Sequence, residues 1–205
     1  MIYSPFLKEA PDIEHGFGGR EEGNWLEEGE QAWPKQIHSA LVLRVRGPGL
    51  QGEADAVVTT TPELWVSVRT ADCLPILLAD TAARVVAAVH AGWRGTVGGI
   101  TRNTVRVMTE LGAEPTSLIA AIGPGIGPCC FEVGPEVSPH FGMSGQTCVD
   151  LAAANERQLL DAGLSLEKIW ISKLCTRCNP DLLHSYRRDG AAAGRMVSAI
   201  RLMQA

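Results

Sequence analysis

Four short apolar runs follow one another between residues 54 and 90: Ala54–Thr59, Leu64–Thr70, Leu74–Ala79 and Arg84–His90. Each is rich in Val, Leu or Ala and bounded by turn formers, and none has the length of an ordinary amphipathic helix. Runs of this kind predict strands buried in a sheet. Further strands are expected over Gln36–Val45, ending at Arg46-Gly47-Pro48-Gly49, over Leu118–Ile122, which enters the loop Gly123–Pro128, and over Lys168–Ser172. Leu182–Tyr186 reads as a strand or extended stretch, and Arg195–Leu202 as extended and apolar. Two helices are expected: Val97–Leu111, closed by Gly112, and a segment capped by Asp150 that runs to Ala162-Gly163. Residues 1–35 read as loops with room for one short strand. No repeat, linker or low-complexity tract divides the chain. The expected class is mixed α/β, as one domain over residues 1–205.

Composition narrows the function classes. The chain has 205 residues, 45% hydrophobic and 20% charged, which is globular rather than disordered. Its net charge of −5 argues against a nucleic-acid partner, although a few arginines could still line a local basic cleft. Met1-Ile2-Tyr3-Ser4-Pro5 lacks the basic-then-apolar pattern of a secretory signal, and no apolar run approaches the roughly 18 residues that span a bilayer. A cytoplasmic protein without a membrane partner is expected, with its six cysteines reduced.

Two of the five histidines, His38 and His90, stand at ends of expected strands, and Cys73 lies at a junction between two others. Sheet ends can meet at one rim. Two imidazoles and a thiolate are good zinc ligands, and three protein ligands leave the fourth position open, as in catalytic zinc. Asp72, beside Cys73, is a carboxylate that could support the ligands or accept a proton. Spacing alone does not bring the three together, and ordinary packing is the competing reading. Cys175-Thr176-Arg177-Cys178 is the only CxxC; with no second pair to complete a metal site, it reads as reduced structural thiols. Cys129-Cys130 read as small buried residues, and Cys148 carries no signal.

Gly92-Trp93-Arg94-Gly95-Thr96-Val97-Gly98-Gly99 joins a strand to a helix. Its glycines allow close backbone approach and Arg94 could grip phosphate, but a tight structural turn explains the run equally well. Ser185-Tyr186-Arg187-Arg188-Asp189-Gly190, followed by Arg195, could bind phosphate or ribose, or be a solvated turn with local ion pairing. Trp93, Phe131 and Tyr186 could stack on a planar base or simply pack in a core.

These segments together resemble the YfiH family, also called the polyphenol oxidoreductase or laccase-domain family. The matching stretches are His15-Gly16-Phe17, Gln36-Ile37-His38, Thr70-Ala71-Asp72-Cys73-Leu74-Pro75, His90-Ala91-Gly92-Trp93-Arg94-Gly95, Ile122-Gly123-Pro124, Phe131-Glu132-Val133-Gly134, Ser185-Tyr186-Arg187-Arg188 and Gly194-Arg195, in the family's order. The resemblance implies a layered α/β/β/α sandwich and zinc bound by His38, Cys73 and His90, with copper the lesser alternative. It also implies purine nucleoside phosphorylase activity on adenosine, inosine and guanosine, with methylthioadenosine phosphorolysis and adenosine deamination beside it. For that chemistry Asp72 and Arg94 are the candidate catalytic residues, and Arg20, Arg94 and Arg187 the candidate phosphate or ribose contacts. The segment Asn24–Pro34 is shorter and more acidic than is usual in the family, and Ser39 stands where Gly is common after the Gln-x-His stretch. Three rivals remain open: a copper oxidase, for which five histidines without a His-x-His pair are a poor supply; a hydrolase with Cys73 as nucleophile; and a protein whose metal is structural.

Overall fold

The computed structural model describes residues 1–204 as two sheets packed face to face with helices on one side. The central strands are β7 (Leu74–Asp80) and β8 (Val85–Ala91), buried at every position and paired antiparallel. β5 (Ala56–Thr59) and then β3 (Val42–Arg44) extend the sheet beyond β8. β9 (Ile119–Ile122) and β12 (Ile169–Ile171) extend it beyond β7, giving the order β12-β9-β7-β8-β5-β3. The second sheet has five strands in the order β1 (Ile13–Phe17), β13 (Met196–Leu202), β6 (Trp65–Thr70), β2 (Gln31–Lys35) and β4 (Gly49–Glu53). A two-stranded ribbon, β10 (Glu132–Val133) with β11 (Thr147–Cys148), stands apart.

Period-2 alternation divides the core. Val58, Ile76, Leu78, Ala87, Val89 and Ile122 face α3 (Ile100–Thr109) and α4 (Leu151–Asp161), contributing to one cluster with Met108 and Leu159. Their neighbours Val57, Leu77, Val86, Ala88 and Ala121 face the five-stranded sheet and pack with Phe17, Val66, Val68, Ile200 and Leu202. Leu7 from α1 (Pro5–Glu9) closes this second core. On the outer face of the five-stranded sheet, Trp25 and Leu26 pack on Trp65, Val197 and Ala199, so a loop forms the fourth layer. The fold class is mixed α/β of the YfiH type, with more strand than helix.

Several expectations change in detail. The expected strand Gln36–Val45 divides: β2 ends at Lys35, residues 36–41 form a loop, and only β3 is strand. His38, at φ 59, marks the break. The expected helix over Val97–Leu111 is two helices, α2 (Trp93–Val97) and α3, because Gly99 takes φ 80. Residues 1–35 hold α1, β1 and β2 rather than one short strand; Ser4 caps α1 with Pro5 in its first turn. Leu182–Ser185 is irregular and leads into α5 (Tyr186–Asp189).

His15 in β1 is 6% exposed, and its Nε2 accepts the Ser4 N–H at 2.9 Å. Burial lowers its pKa from the usual 6.5 to about 4. A histidine depressed in the folded state leaves stability intact above its unfolded pKa. That stability is lost as pH falls from about 6.5 towards 4, where the unfolded chain takes up the proton first. The loss reaches about 3 kcal/mol near pH 4. Urea midpoints measured from pH 7 to pH 4 should fall more steeply for the wild type than for His15→Gln; equal slopes would remove His15 as the cause.

Candidate metal centre and cavity

Three strand ends converge at one rim of the six-stranded sheet. Cys73 immediately precedes β7, His90 lies near the end of β8 with Pro75 as its register partner, and Asp55 immediately precedes β5. The His90 backbone N–H donates to the Asp55 carbonyl at 2.7 Å, tying the last two together. His38 arrives from the loop between β2 and β3. One ligand atom from each of His38, Cys73 and His90 lies within 4.8 Å of the other two.

Asp55 arranges this meeting. Its side chain is fully buried, and its carboxylate accepts from the backbone N–H groups of Ile37 at 3.3 Å, His38 at 3.0 Å and Ser39 at 2.5 Å. It also accepts from the Ser39 hydroxyl at 2.7 Å, and its Oδ1 lies 2.7 Å from His90 Nδ1. Ser39 therefore supplies a hydroxyl that a glycine would lack. Burial pushes the Asp55 carboxyl up, but the hydrogen bonds from His90 and Ser39 outweigh it and bring the pKa down to about 2. Donating to an ionised carboxylate, His90 Nδ1 carries a proton, which leaves Nε2 to face Cys73 and His38.

The donor set fits a metal. Burial would raise the Cys73 thiol, yet hydrogen bonds and charge from His38 and His90 lower it to about 6. Burial would lower His90, yet its bonds to Asp55 and Cys73 raise it to about 9. The pair thus tends towards thiolate and imidazolium, the thiolate being the form that ligates. Gly92 opens the space above them: a Cβ there would come within 3.0 Å of Cys73 Sγ and 3.1 Å of His38 Cδ2. A buried carboxylate on the far nitrogen of a histidine is the support that metal-binding imidazoles usually have.

Cys73 and His38 open onto a cavity of about 660 Å³, within the range of small-molecule sites. Trp33, Lys35, Gln36, Arg69, Asp72, Phe131, Tyr186, Arg187 and Arg195 also line it, so a chain of net charge −5 gathers four cations here. Gln36 clamps its neighbour strand, donating to the Arg69 carbonyl and accepting the Arg69 N–H, both at 2.8 Å. This extends the parallel pairing of β2 with β6 up to the cavity. The Arg69 guanidinium lies 5.2 Å from the centre of the Trp33 ring and, among the described residues, has no carboxylate partner. Lys35 is paired with Glu53 at 2.9 Å.

Asp72 and Arg187 meet in the cavity wall. Asp72 stands at φ 92 and accepts the Thr176 hydroxyl and the Arg187 backbone N–H, both at 2.6 Å, one on each oxygen. Arg187 reaches the Cys130 and Glu132 carbonyls at 3.3 and 3.0 Å and lies 5.5 Å from the centre of the Phe131 ring. Two expected phosphate contacts lie elsewhere. Arg94 is exposed on α2, its guanidinium 4.3 Å from the centre of the Trp93 ring, and Arg20 pairs with Asp189 at 3.4 Å beside a separate cleft. Among the described residues, neither lines the cavity. Arg94 stacks on its neighbour Trp93, and Arg20 is drawn to Asp189, far away in the sequence. The sequence reading missed Asp55, Arg69, Trp33 and Lys35. Asp55 had a signal, an acid directly before the wholly buried strand Ala56–Thr59.

Comparison with known proteins places the chain in a family. Residues 22–203 match the model described as multi-copper polyphenol oxidoreductase laccase. A purine nucleoside phosphorylase of Deinococcus radiodurans is 42% identical over 178 residues, covering 82% of this chain and 68% of that protein. Adenosine deaminase RL5, from an unknown prokaryotic organism, is 38% identical over 192 residues, covering 82% of this chain and 73% of that protein. The crystal structure of Bacillus licheniformis hypothetical protein YfiH superposes with a TM-score of 0.82 at 28% identity, covering 86% of this chain and 75% of that one. The chain belongs to the multi-copper polyphenol oxidoreductase laccase family, the family of YfiH.

Proposed function

We propose that the chain is a zinc-dependent purine nucleoside phosphorylase acting on adenosine, inosine or guanosine, with methylthioadenosine as a further substrate. The observation that carries this reading is the cation-lined cavity opening directly onto the three-donor cluster. Phosphorolysis joins a phosphate oxygen to C1′ of the ribose while the C1′–N9 bond breaks and the purine leaves with a proton. The sugar passes through a cation-like transition state, as in other glycosidic cleavages. The protein must therefore hold an anion beside the sugar and a flat base beyond it.

Arg69 and Arg187 are the groups for the anion: Arg187 as first expected, and Arg69 in place of Arg20 and Arg94. Arg69 presents an unpaired guanidinium to the cavity, and Arg187 stands opposite Cys73's neighbour Asp72. Trp33, Phe131 and Tyr186 are the aromatic surfaces for the purine. Asp72 acts in this reading as a positioning residue, because both its oxygens are engaged in holding Thr176 and Arg187. A zinc held by His38, Cys73 and His90 would supply a Lewis acid able to polarise a phosphate or sugar oxygen. Deamination of adenosine is a second activity of the same site, favoured by the 38% identity to a relative named adenosine deaminase.

The test is incubation of metal-replete protein with adenosine, with and without phosphate and under anaerobic conditions, followed by chromatography. Ribose 1-phosphate and adenine appearing only with phosphate support phosphorolysis; inosine without phosphate marks deamination. Absence of all three, or turnover that requires oxygen, overturns the proposal. Arg69→Ala should lower kcat/KM for phosphate by roughly tenfold to a hundredfold, the worth of one charge-assisted contact. A change below twofold would remove Arg69 from the anion site. Among the described residues no helix is long and apolar enough to cross a membrane.

A further inference from the structure

A second cluster of metal donors lies outside the cavity. β9 and β12 run parallel, with Ala120 opposite Ile169 and Ile122 opposite Ile171. Beyond the strands the two segments stay joined: the Gly125 N–H donates to the Leu174 carbonyl at 3.3 Å, and the Thr176 N–H to the Gly125 carbonyl at 2.9 Å. That pairing carries Cys129-Cys130, in the turn after the glycine-proline loop, up to the turn Cys175-Thr176-Arg177-Cys178. The sequence reading took the first pair as small buried residues and left the CxxC without a partner. The structure leaves Cys129 exposed and Cys130 half-buried, and makes them that partner.

The sulfurs of Cys129, Cys130, Cys175 and Cys178 all lie within 4.8 Å of one another. Cys178 Sγ is 3.7 Å from Cys129 Sγ and 3.4 Å from Cys130 Sγ. A disulfide would require about 2.05 Å, whereas four thiolates around zinc at about 2.3 Å have edges of roughly 3.8 Å. The surroundings suit a negatively charged centre. The Gly127 N–H donates to Cys175 Sγ at 3.3 Å, and a Cβ on Gly127 would come within 3.4 Å of Cys129 Sγ and 3.2 Å of Cys175 Cβ. Arg188 reaches the Thr176 and Arg177 carbonyls at 3.0 and 3.4 Å, and Arg187 the Cys130 carbonyl.

We propose that Cys129, Cys130, Cys175 and Cys178 bind a second, structural soft divalent cation, zinc above all, in a closed four-thiolate site. With four protein ligands it has no open position, in contrast to the centre at His38, Cys73 and His90. Its place in the fold gives it a task. Phe131 follows Cys130 and lines the cavity, and Thr176, between the last two cysteines, holds Asp72 through its hydroxyl. The ion would fasten one wall of the cavity to the end of the six-stranded sheet.

The test is metal content together with thiol protection, neither of which depends on turnover. Purified wild-type protein should hold about two zinc ions per chain, and Cys178→Ser and Cys129→Ser about one, as should His90→Ala through loss of the other site. Cobalt replacement in His90→Ala should give the intense thiolate-to-metal charge-transfer bands of four-sulfur coordination. In metal-replete wild type these four cysteines should resist iodoacetamide and become reactive after chelation, which keeps the test open if a variant fails to fold. One zinc per chain in wild type, unchanged in Cys178→Ser, overturns the proposal. So does a disulfide mapped among the four under non-reducing conditions, or free alkylation of all four while the protein is zinc-loaded.

Discussion

His90→Ala should cost the protein the zinc of its cavity centre and lower phosphorolysis by about a thousandfold or more, since a polarising metal is worth several kcal/mol in the transition state. His90 is 3% exposed at the end of β8 and is the donor with least freedom to be replaced by water or a neighbour. Its loss also strips one donor from the buried Asp55 carboxylate, which should lower stability by about 1–3 kcal/mol. Those two effects separate by temperature: activity should stay lost well below the melting transition. Added zinc should restore little, because two ligands hold the ion weakly. If Cys73 were instead a nucleophile, the thiolate–imidazolium tendency of Cys73 and His90 would serve it just as well. Iodoacetamide then decides: metal-replete protein whose Cys73 reacts rapidly, with loss of activity, is a hydrolase. Protein that resists until chelated has a masked ligand. Retention of zinc stoichiometry and of activity within tenfold by His90→Ala would remove the centre from the mechanism.

The clustered donors His38, Cys73 and His90 were legible because each sits at a place where a strand pattern stops, and strand ends are where a sheet exposes functional side chains. Cys73, between two apolar runs, and His90, closing a third, fall at one rim because β7 and β8 pair antiparallel, bringing the start of one beside the end of the other. His38 was read at the start of a strand and lies in a loop; its position depends on five donors meeting one carboxylate, a long-range pattern that no local window contains. The central strands were equally legible, being almost continuous apolar runs, whereas β2 and β4 were not, since Gln31-Ala-Trp-Pro-Lys and Gly49-Leu-Gln-Gly-Glu carry proline or glycine and gain their strand character from pairing. Arginines proved hardest. Arg94 and Arg20 belong to glycine-rich motifs yet turn to Trp93 and Asp189, while Arg69 lies inconspicuously in a strand and reaches the cavity through the β2–β6 pairing. Four cysteines likewise gave no complete motif, because their two pairs are joined only through the parallel strands β9 and β12.

Asp55→Ala should do damage comparable to removing a ligand, although Asp55 lines no cavity and touches no substrate in this reading. Its carboxylate is the shared acceptor for three consecutive backbone N–H groups, a hydroxyl and an imidazole. Removing it takes away the buried acceptor that those donors share, and the expected cost is about 3–5 kcal/mol, as for breaking a buried charged network. The loop bearing His38 then loses its anchor, and its φ of 59 is no longer held against the strain of a left-handed non-glycine residue. His90 loses the group that fixes its proton on Nδ1, so zinc affinity should fall by about ten- to a hundredfold. Asp55→Asn separates the two roles. It fills the same space but offers one oxygen, and its amide group meets N–H donors that need an acceptor, so most of the loss should remain. The pH dependence has a defined sign. A carboxyl depressed from 3.8 to about 2 adds stability that is full above about pH 4 and disappears as pH falls towards 2, and that increment should be missing from Asp55→Asn. The measurements are zinc dissociation by competition with a chromogenic chelator and urea unfolding at neutral and acid pH. An Asp55→Asn protein that binds zinc as tightly as the wild type would show that the His38 loop and His90 hold their geometry unaided, and the account of how this centre is assembled would fail.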